Sequence, residues 1–322
     1  MPLVSVIIPT YGHAALILRT LDSVFAQTFR DYEVIVVNDG SPDHTAQVLA
    51  PLVSSGRIKY FEQSNQGVAA ARNFGIAISQ GRYIALLDDD DLWPPDKLEW
   101  QVAELESSDA VLIGGIAGSI GVDGSLQAPV GASDEVRVYA FEDLFDGSPF
   151  LSPGQTSIRR SAFESAGGFD REIWGADDFD LWIGLSLHGP VIRRNRLALY
   201  YRTHDSNASR NLIRMILNVK KVIEKRLFGY RDRCGSDCKS RAYQELFRYL
   251  GHPLIMQIKG AGLRFPPDIT TFSKNFVTLL RVFGLQLYRD VKLRRLFTAY
   301  ILQRCDNLRA KMLGARSEAN RA

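Results

Sequence analysis

Two rhythms of apolar residues alternate along the first part of the chain. Leu3–Ile8, Tyr32–Asn38, Ile58–Glu62 and Tyr83–Leu87 are short, nearly unbroken apolar runs. Such runs predict strands buried on both faces. Between them, His13–Thr28 places Leu16, Leu21, Val24 and Phe25 on one stripe. Thr45–Leu52 follows the second run, and Gly67–Ala77 is a helix-length segment of small residues that suits close packing. Alternating strands and helices with short connections predict an α/β fold, a mainly parallel central sheet with helices on both faces. Ligands of such sheets bind beyond the carboxyl ends of the strands. Asp39 and the run Asp88–Asp91 both fall there.

After Asp91 the rhythm changes. Pro94–Leu105 reads as a helix, Val111–Ile120 as a glycine-rich strand, and residues 121–135 as a turn or loop. Ala140–Leu144 and Ser161–Ala166 read as short helical pieces. A turn at Gly167-Gly168-Phe169-Asp170 precedes a helix over Asp178–Leu187 and a strand over Val191–Tyr201. The expectation is that residues 93–209 complete the sheet begun by residues 1–92, making one domain of 1–209. From about residue 210 the pattern is mostly helical, with candidates at Leu212–Phe228, Ser240–Leu250, Lys274–Leu285 and Val291–Met312.

Composition narrows the class. The 322 residues are 46% hydrophobic and 23% charged, which supports a large core and argues against disorder. Cys234, Cys238 and Cys305 lack the pairing that a disulfide framework or a zinc site needs, and are expected to be ordinary thiols. The net charge of +3 conceals an asymmetry: residues 1–209 carry 15 basic and 28 acidic side chains, residues 210–322 carry 24 and 8. The opening MPLVSVIIPT has no basic n-region and meets Pro9, unlike a signal peptide. No stretch reaches the roughly 20 apolar residues of a spanning helix. These features lead to the expectation of a cytoplasmic protein.

Four consecutive aspartates repel one another unless a cation or hydrogen-bond donors compensate. A solvated acidic turn is the plain alternative, but this run follows Tyr-Ile-Ala-Leu-Leu directly and precedes Leu92-Trp93-Pro94. Apolar neighbours therefore anchor it at the edge of the expected cleft. Asp88 and Asp90 converge if the strand stays extended through them. Oxygen ligands of this kind suit magnesium or manganese held together with substrate phosphates. The chain has no phosphate-binding Gly-x-x-x-x-Gly-Lys-Ser/Thr loop and no Gly-x-Gly-x-x-Gly after the first strand, which argues against a P-loop nucleotidase and a dinucleotide enzyme.

Val4-Ser5-Val6-Ile7-Ile8-Pro9-Thr10-Tyr11, Val36-Val37-Asn38-Asp39-Gly40-Ser41, Asn65-Gln66-Gly67-Val68-Ala69-Ala70-Ala71-Arg72-Asn73 and Leu87-Asp88-Asp89-Asp90-Asp91 occur in that order. Gly167-Gly168-Phe169-Asp170 and Asp177-Asp178-Phe179-Asp180-Leu181-Trp182 follow. Together these resemble the family 2 glycosyltransferases, inverting enzymes of the GT-A fold, over about residues 3–205. The resemblance implies a catalytic domain at 1–209, with a nucleotide-sugar-binding half at 1–92 and an acceptor-binding half at 93–209.

The resemblance also implies roles. Pro9, Thr10 and Tyr11 would hold the nucleobase and ribose. Asp39 would receive a base N–H, and Arg72 would lie near the nucleotide. Asp88 would face ribose or sugar, with Asp89 counted among the donor-binding residues. Asp90 would bind Mn2+ or Mg2+, and His204 would add a further metal contact; a ligand-free surface histidine is the plain alternative. Asp178 would be the general base that deprotonates an acceptor hydroxyl, without needing a high pKa. Asp177 and Asp180 suit the positive end of a helix, and capping is the plain reading of all three carboxylates. Trp174 and Trp182 suit sugar stacking or core packing, with the core favoured for Trp182. Gly12 replaces the usual asparagine and Asp177 the usual glutamate. The Gln-x-x-Arg-Trp motif of processive synthases is absent, so one sugar per encounter is expected.

The implied donor is a nucleoside-diphosphate sugar, with uridine diphosphate expected by family habit and thymidine and guanosine diphosphates open. The acceptor would be a glycan or lipid-linked hydroxyl, with residues 121–154 helping to choose it. A sugar nucleotidyltransferase would want a glycine-rich loop with a basic residue after the first strand, which Pro9–His13 does not supply. A non-catalytic nucleotide-sugar sensor is the other alternative, against which Asp39, Asp90 and Asp178 argue. In the basic region, Phe276, Leu279, Leu280, Phe283 and Leu287 recur at spacings of three or four among Lys274, Arg281, Arg289, Lys292, Arg294 and Arg295. Two readings of 210–322 stand level: peripheral contact with an anionic membrane, or packing on the acidic core. No recognition motif accompanies the charge, and nucleic acid is not an expected partner.

Overall fold

A computed structural model describes residues 1–248 except 130, 132, 205, 206, 208–210 and 230–235, and in addition 278, 282 and 283. The chain divides into two compact units, Met1–Asn211 and Leu212–Ala322.

In the first unit one nine-stranded sheet runs through both halves. Its strands are β1 (Val4–Thr10), β2 (Tyr32–Asn38), β3 (Lys59–Glu62), β4 (Tyr83–Leu86), β5 (Leu112–Ile120), β6 (Leu126–Gln127), β7 (Val136–Tyr139), β8 (Thr156–Arg159) and β9 (Val191–Arg202). Their order is β3-β2-β1-β4-β8-β5-β9-β7, with β6 beside β5. The pairs β1–β2, β2–β3, β1–β4 and β5–β9 are parallel. β8 lies antiparallel between β4 and β5, and β7 antiparallel to β9. Six of the nine strands thus share one direction, as the apolar runs predict.

The helices are α1 (Ile17–Phe25), α2 (Thr45–Ser54), α3 (Val68–Ala77), α4 (Lys97–Ser107), α5 (Arg160–Ala166) and α6 (Asp177–Leu185). Val4, Val6 and Ile8 of β1 join Ile17, Leu21, Leu98 and Leu105 of α1 and α4 in one core. α3 comes so close to the sheet that a Cβ on Gly75 would lie 2.7 Å from the Ile7 side chain and 3.1 Å from that of Val37. The small residues of α3 allow that approach, which brings Arg72 up to the strand ends.

Several expectations shift. The helix expected from His13 starts at Ile17, because the His13 carbonyl closes a turn onto Leu16 and Ile17 (2.9 and 3.1 Å). The loop read at 121–135 contains β6, and β7 follows it; both are short, and largely exposed. β8 is Thr-Ser-Ile-Arg, too polar to read as a central strand, yet Thr156 and Ser157 are fully buried. Their polar groups are satisfied from α4: Lys97 Nζ donates to the Thr156 carbonyl (2.9 Å), and Ser157 Oγ donates to Gln101 Oε1 (2.6 Å). The helical piece expected at Ala140–Leu144 becomes a 3-10 turn at Asp143–Asp146.

In the second unit, α7 (Leu212–Gly229) and α8 (Ser236–Leu246) are described. Tyr243 of α8 donates its hydroxyl to Glu224 of α7 (3.0 Å), and Phe247 meets Phe283 edge to face at 5.5 Å. Cys238 is in a disulfide, not the ordinary thiol expected. The remaining candidates of the basic region lie outside the described residues. Among the described residues no helix is long and apolar enough to cross a membrane.

Candidate active site

β1 has β2 on one side and β4 on the other, so the chain reverses its direction of travel across the sheet at β1. That reversal opens a crevice at the carboxyl ends of these strands. Pro9 and Thr10 are buried as the last residues of β1, and Tyr11 is the first side chain exposed beyond them. The Thr10 carbonyl accepts the Asp39 amide at 2.9 Å. Asp39 is buried and fully engaged: Oδ1 accepts from Gln63 Nε2 (2.7 Å) and the Gln66 amide (2.9 Å), and Oδ2 from the Gly67 amide (2.8 Å). Gly67, at φ +89°, turns the chain into α3 in a conformation that favours glycine. Asp39 therefore holds the start of α3 against the end of β2.

The four aspartates do not stay extended. β4 ends at Leu86 and the chain turns at Asp89–Asp90, so each carboxylate finds a different partner. Asp88 Oδ1 accepts from Arg72 Nη2 (2.6 Å) and Oδ2 from Ser152 Oγ (3.3 Å). Asp89 Oδ1 meets His13 Nδ1 at 2.8 Å, and Oδ2 accepts the Tyr11 amide at 3.2 Å. Asp90 Oδ2 meets His204 Nε2 at 2.6 Å. Asp91 is fully buried, and its Oδ1 accepts the Arg202 amide at 2.8 Å. Thr20 Oγ1 lies within reach of the Asp89 and Asp91 carbonyls (3.0 and 2.9 Å). A two-way backbone bridge between Leu92 and Tyr200 sets the end of β9 beside the turn. That bridge is why His204, far along the chain, reaches Asp90.

The charges leave a mark on the acids. Burial and the Asp88 carboxylate push Asp90 above the usual range, against the opposing hydrogen bond from His204. Burial, then Asp90 and Asp88, push Asp91 well above it. The hydrogen bond to Asp89 raises His13.

Arg72 and Asn73 of α3 gather the second-half motifs. Asn73 exchanges two hydrogen bonds with the Phe169 backbone (2.8 and 3.0 Å). Arg72 is buried and its Nη1 donates to Asp177 Oδ2 at 2.9 Å, so one guanidinium spans Asp88 and Asp177. Asp178 lies next to that pair at the first turn of α6. Among the described residues its carboxylate accepts only the Phe179 amide, at 2.7 Å. Burial first, and the neighbouring Asp177 second, push Asp178 up to about 7, with Arg72 opposing. Trp182 is fully buried with its ring edge on Phe150, a core residue.

Asp88, Asp89, Asp90, Asp39, Arg72 and His204 thus converge on the strand ends, with Tyr11 beside them. Pro9 and Thr10 contribute backbone and packing. Sequence reasoning missed His13 and Ser152, which bind the quartet through single side chains in loops. Among the described residues no group of three or more His, Cys, Asp or Glu side chains is arranged to hold a metal ion. Asp90 with His204 offers a pair.

Comparison with known proteins places this architecture. In Rickettsia typhi an uncharacterized glycosyltransferase is 32% identical over 279 residues, 85% of this chain and 80% of that protein. The chain spans only 36% and 35% of the length of two longer uncharacterized glycosyltransferases, from Rickettsia felis and Rickettsia conorii. Residues 1–349 of Staphylococcus aureus TarS share the fold at TM-score 0.62 and 18% identity, covering 92% of this chain and 87% of that one. The same TarS region has been seen with UDP-GlcNAc, at TM-score 0.55. The mannosyltransferase PcManGT of Pyrobaculum calidifontis, in complex with GDP-Man and Mn2+, shares the fold at TM-score 0.58 and 18% identity, covering 94% and 80%. A model described as glycosyl transferase family 2 matches residues 5–167. That match takes in β1, Asp39, Arg72 and the aspartate quartet, and with it the chain belongs to glycosyl transferase family 2.

Proposed function

We propose that the protein is an inverting, metal-dependent, non-processive glycosyltransferase. It moves a sugar from a nucleoside-diphosphate sugar, with uridine diphosphate the expected carrier, to a hydroxyl of a glycan or lipid-linked acceptor. One observation carries the reading: Asp178 has a carboxyl pushed up to about 7, in a turn tied through Asp177 and Arg72 to Asp88 beyond β4. A carboxylate with a midpoint near neutral is matched to taking a proton from a hydroxyl during reaction.

Asp178 accepts the acceptor's hydroxyl proton as the acceptor oxygen bonds to the anomeric carbon. The bond from that carbon to the diphosphate oxygen breaks on the opposite face, and its electron pair leaves with the nucleoside diphosphate. A single displacement inverts the configuration. Tyr11 and the loop held by Asp39 receive the nucleoside, and Asp88 accepts from a ribose or sugar hydroxyl. Asp89 ties the Tyr11 backbone and His13 to the same turn. Asp90 and His204 would hold Mn2+ or Mg2+. A carboxylate oxygen and an imidazole nitrogen are ligands of the right kind, and the 2.6 Å hydrogen bond between them would open to admit the ion, with donor phosphates completing its shell. The ion supplies neutralisation of the charge that develops on the leaving diphosphate. The TarS and PcManGT complexes support a nucleotide-sugar donor, and the latter Mn2+.

Incubation of the full chain with Mn2+, a panel of UDP-, GDP- and dTDP-sugars and glycan acceptors tests the reading. Release of nucleoside diphosphate with an inverted linkage by NMR is expected. Pyrophosphate-dependent exchange would instead mark a nucleotidyltransferase, and binding without turnover a sensor. The excess positive charge of 210–322 would let a cytoplasmic enzyme meet an anionic membrane face at its periphery. Equal, negligible flotation on anionic and neutral vesicles would remove that part.

A further inference from the structure

We propose that Arg72 is a positioning residue: it clamps the turn that bears Asp178 to Asp88 beyond β4, and does not itself bind the donor. The inference rests on reading Asp178 as the base, and gives Arg72 a role beside that base instead of beside the nucleotide.

The two ends of the guanidinium are spoken for. Nη2 donates to Asp88 at 2.6 Å and Nη1 to Asp177 at 2.9 Å, residues that lie 16 and 105 positions away along the chain. The side chain is 6% exposed and its Nε is buried with no hydrogen-bond partner among the described residues, so the group faces inward on every edge. One face lies over the Phe169 ring, with the guanidinium carbon 5.3 Å from its centre. To turn both prongs to a phosphate, Arg72 would have to abandon Asp177 as well as Asp88, and leaving Asp177, buried like the arginine, unpaired is costly.

The neighbours of Arg72 act on the same segment. Asn73 grips the Phe169 backbone from both sides, and Gln66 accepts from Arg171 Nη2 at 2.6 Å. Three residues around the start of α3 therefore hold the stretch from Phe169 to Asp178, and Arg72 is the one that reaches its functional end. Burial, then the Asp177 and Asp88 carboxylates, raise Asp178, and Arg72 and the Phe179 amide lower it. A planar, two-pronged cation is needed for this, because a lysine ammonium is a point charge without the fork.

The test uses the full chain without donor or acceptor. Carbonyl-labelled aspartate is followed by NMR against pH, with Asp178 identified by its loss in Asp178→Asn. Amide hydrogen exchange is read over residues 169–179. In Arg72→Gln the Asp178 midpoint should rise by about one pH unit or more, and exchange over 169–179 should quicken at least tenfold. Arg72→Lys should restore part of the midpoint shift and little of the protection. If Arg72→Gln does not fold, Arg72→Lys still has to quicken exchange. Binding of UDP with Mn2+, measured by calorimetry, should change less than threefold in Arg72→Lys. An unmoved midpoint with unchanged exchange overturns the proposal, as does a tenfold or greater loss of UDP binding with the turn intact. Failure of the base reading shows separately, as sugar transfer surviving in Asp178→Asn while the Arg72 variants still loosen the turn.

Discussion

Asp88–Asp91 and Asp177–Asp178 both crowd carboxylates into consecutive positions, and the structure relieves the crowding in opposite ways. At the end of β4 the chain turns, and each of four carboxylates leaves in its own direction to Arg72, His13, His204 or the Arg202 amide. At the start of α6 the helix keeps its two aspartates together. Asp177 takes the arginine, and Asp178 is left with the Phe179 amide alone among the described residues. Dispersal produces a multiply tied turn. Retention leaves one carboxylate with a single donor and a raised affinity for its proton. The uneven sharing of donors gives two similar sequences different electrostatic surroundings.

Removing the retained charge is the strongest way to break this contrast. Asp178→Asn should lower sugar transfer by roughly a thousandfold, within the range of a lost general base. The same variant should be more stable than the parent. Below pH 4 the Asp178 carboxyl is protonated in both folded and unfolded chains and costs nothing. From about 4 to about 7 only the unfolded chain ionises it, so stability falls as pH rises, and above 7 the full cost is present. The gain in Asp178→Asn should therefore grow from near zero below pH 4 to on the order of 4 kcal/mol above pH 7, by urea melts. The activity of the parent should fall as pH drops through about 7. A loss of both activity and stability at pH 8 would mean that Asp178 is a structural cap.

Dispersal predicts that members of the quartet are not interchangeable. Asp90→Asn removes the carboxylate that faces His204, and should weaken Mn2+-dependent UDP binding by roughly a hundredfold, while binding without Mn2+ changes little. Asp91→Asn should change UDP binding less than threefold, because that side chain is fully buried and tied to the Arg202 amide. Equal losses in the two variants would show that the run acts as one diffuse negative patch.

This division of labour marks how far the sequence could be read. The apolar runs announce β1, β2 and β4, since a strand buried on both faces has no other composition available; β3, at the sheet edge, is largely exposed instead. The strand-end position of Asp39 and the quartet follows from the same pattern. β8 stayed hidden because its burial depends on Lys97 and Gln101 reaching in from α4, a long-range satisfaction that no local pattern records. Arg72, Gly167–Asp170 and Asp177–Asp178 were legible as separate motifs, whereas their union through one guanidinium is tertiary. The same holds for His13: a lone histidine in a loop carries no signal until the turn at Asp89–Asp90 aims a carboxylate at it.

His13 gives the gentlest test of the contrast, because it touches one of four dispersed charges. His13 Nδ1 meets Asp89 at 2.8 Å, and its side chain is 26% exposed, so solvent screens the pair. The bond to Asp89 raises the histidine above its ordinary 6.5. A raised base stabilises the fold fully below the unfolded value and loses that contribution as pH climbs through the folded one. His13→Ala should thus cost about 0.5–1 kcal/mol at pH 6, and less at pH 9, as the imidazole loses its proton. The Tyr11 amide still donates to Asp89 in the variant, so the turn keeps one tie and UDP binding with Mn2+ should weaken only a few-fold. A loss as large as that of Asp90→Asn would show that the four ties act as a unit and not as four separate bonds. A stability cost that does not shrink between pH 6 and pH 9 would show that His13 acts by packing, through its edge contact with His204 at 5.5 Å, and not by charge.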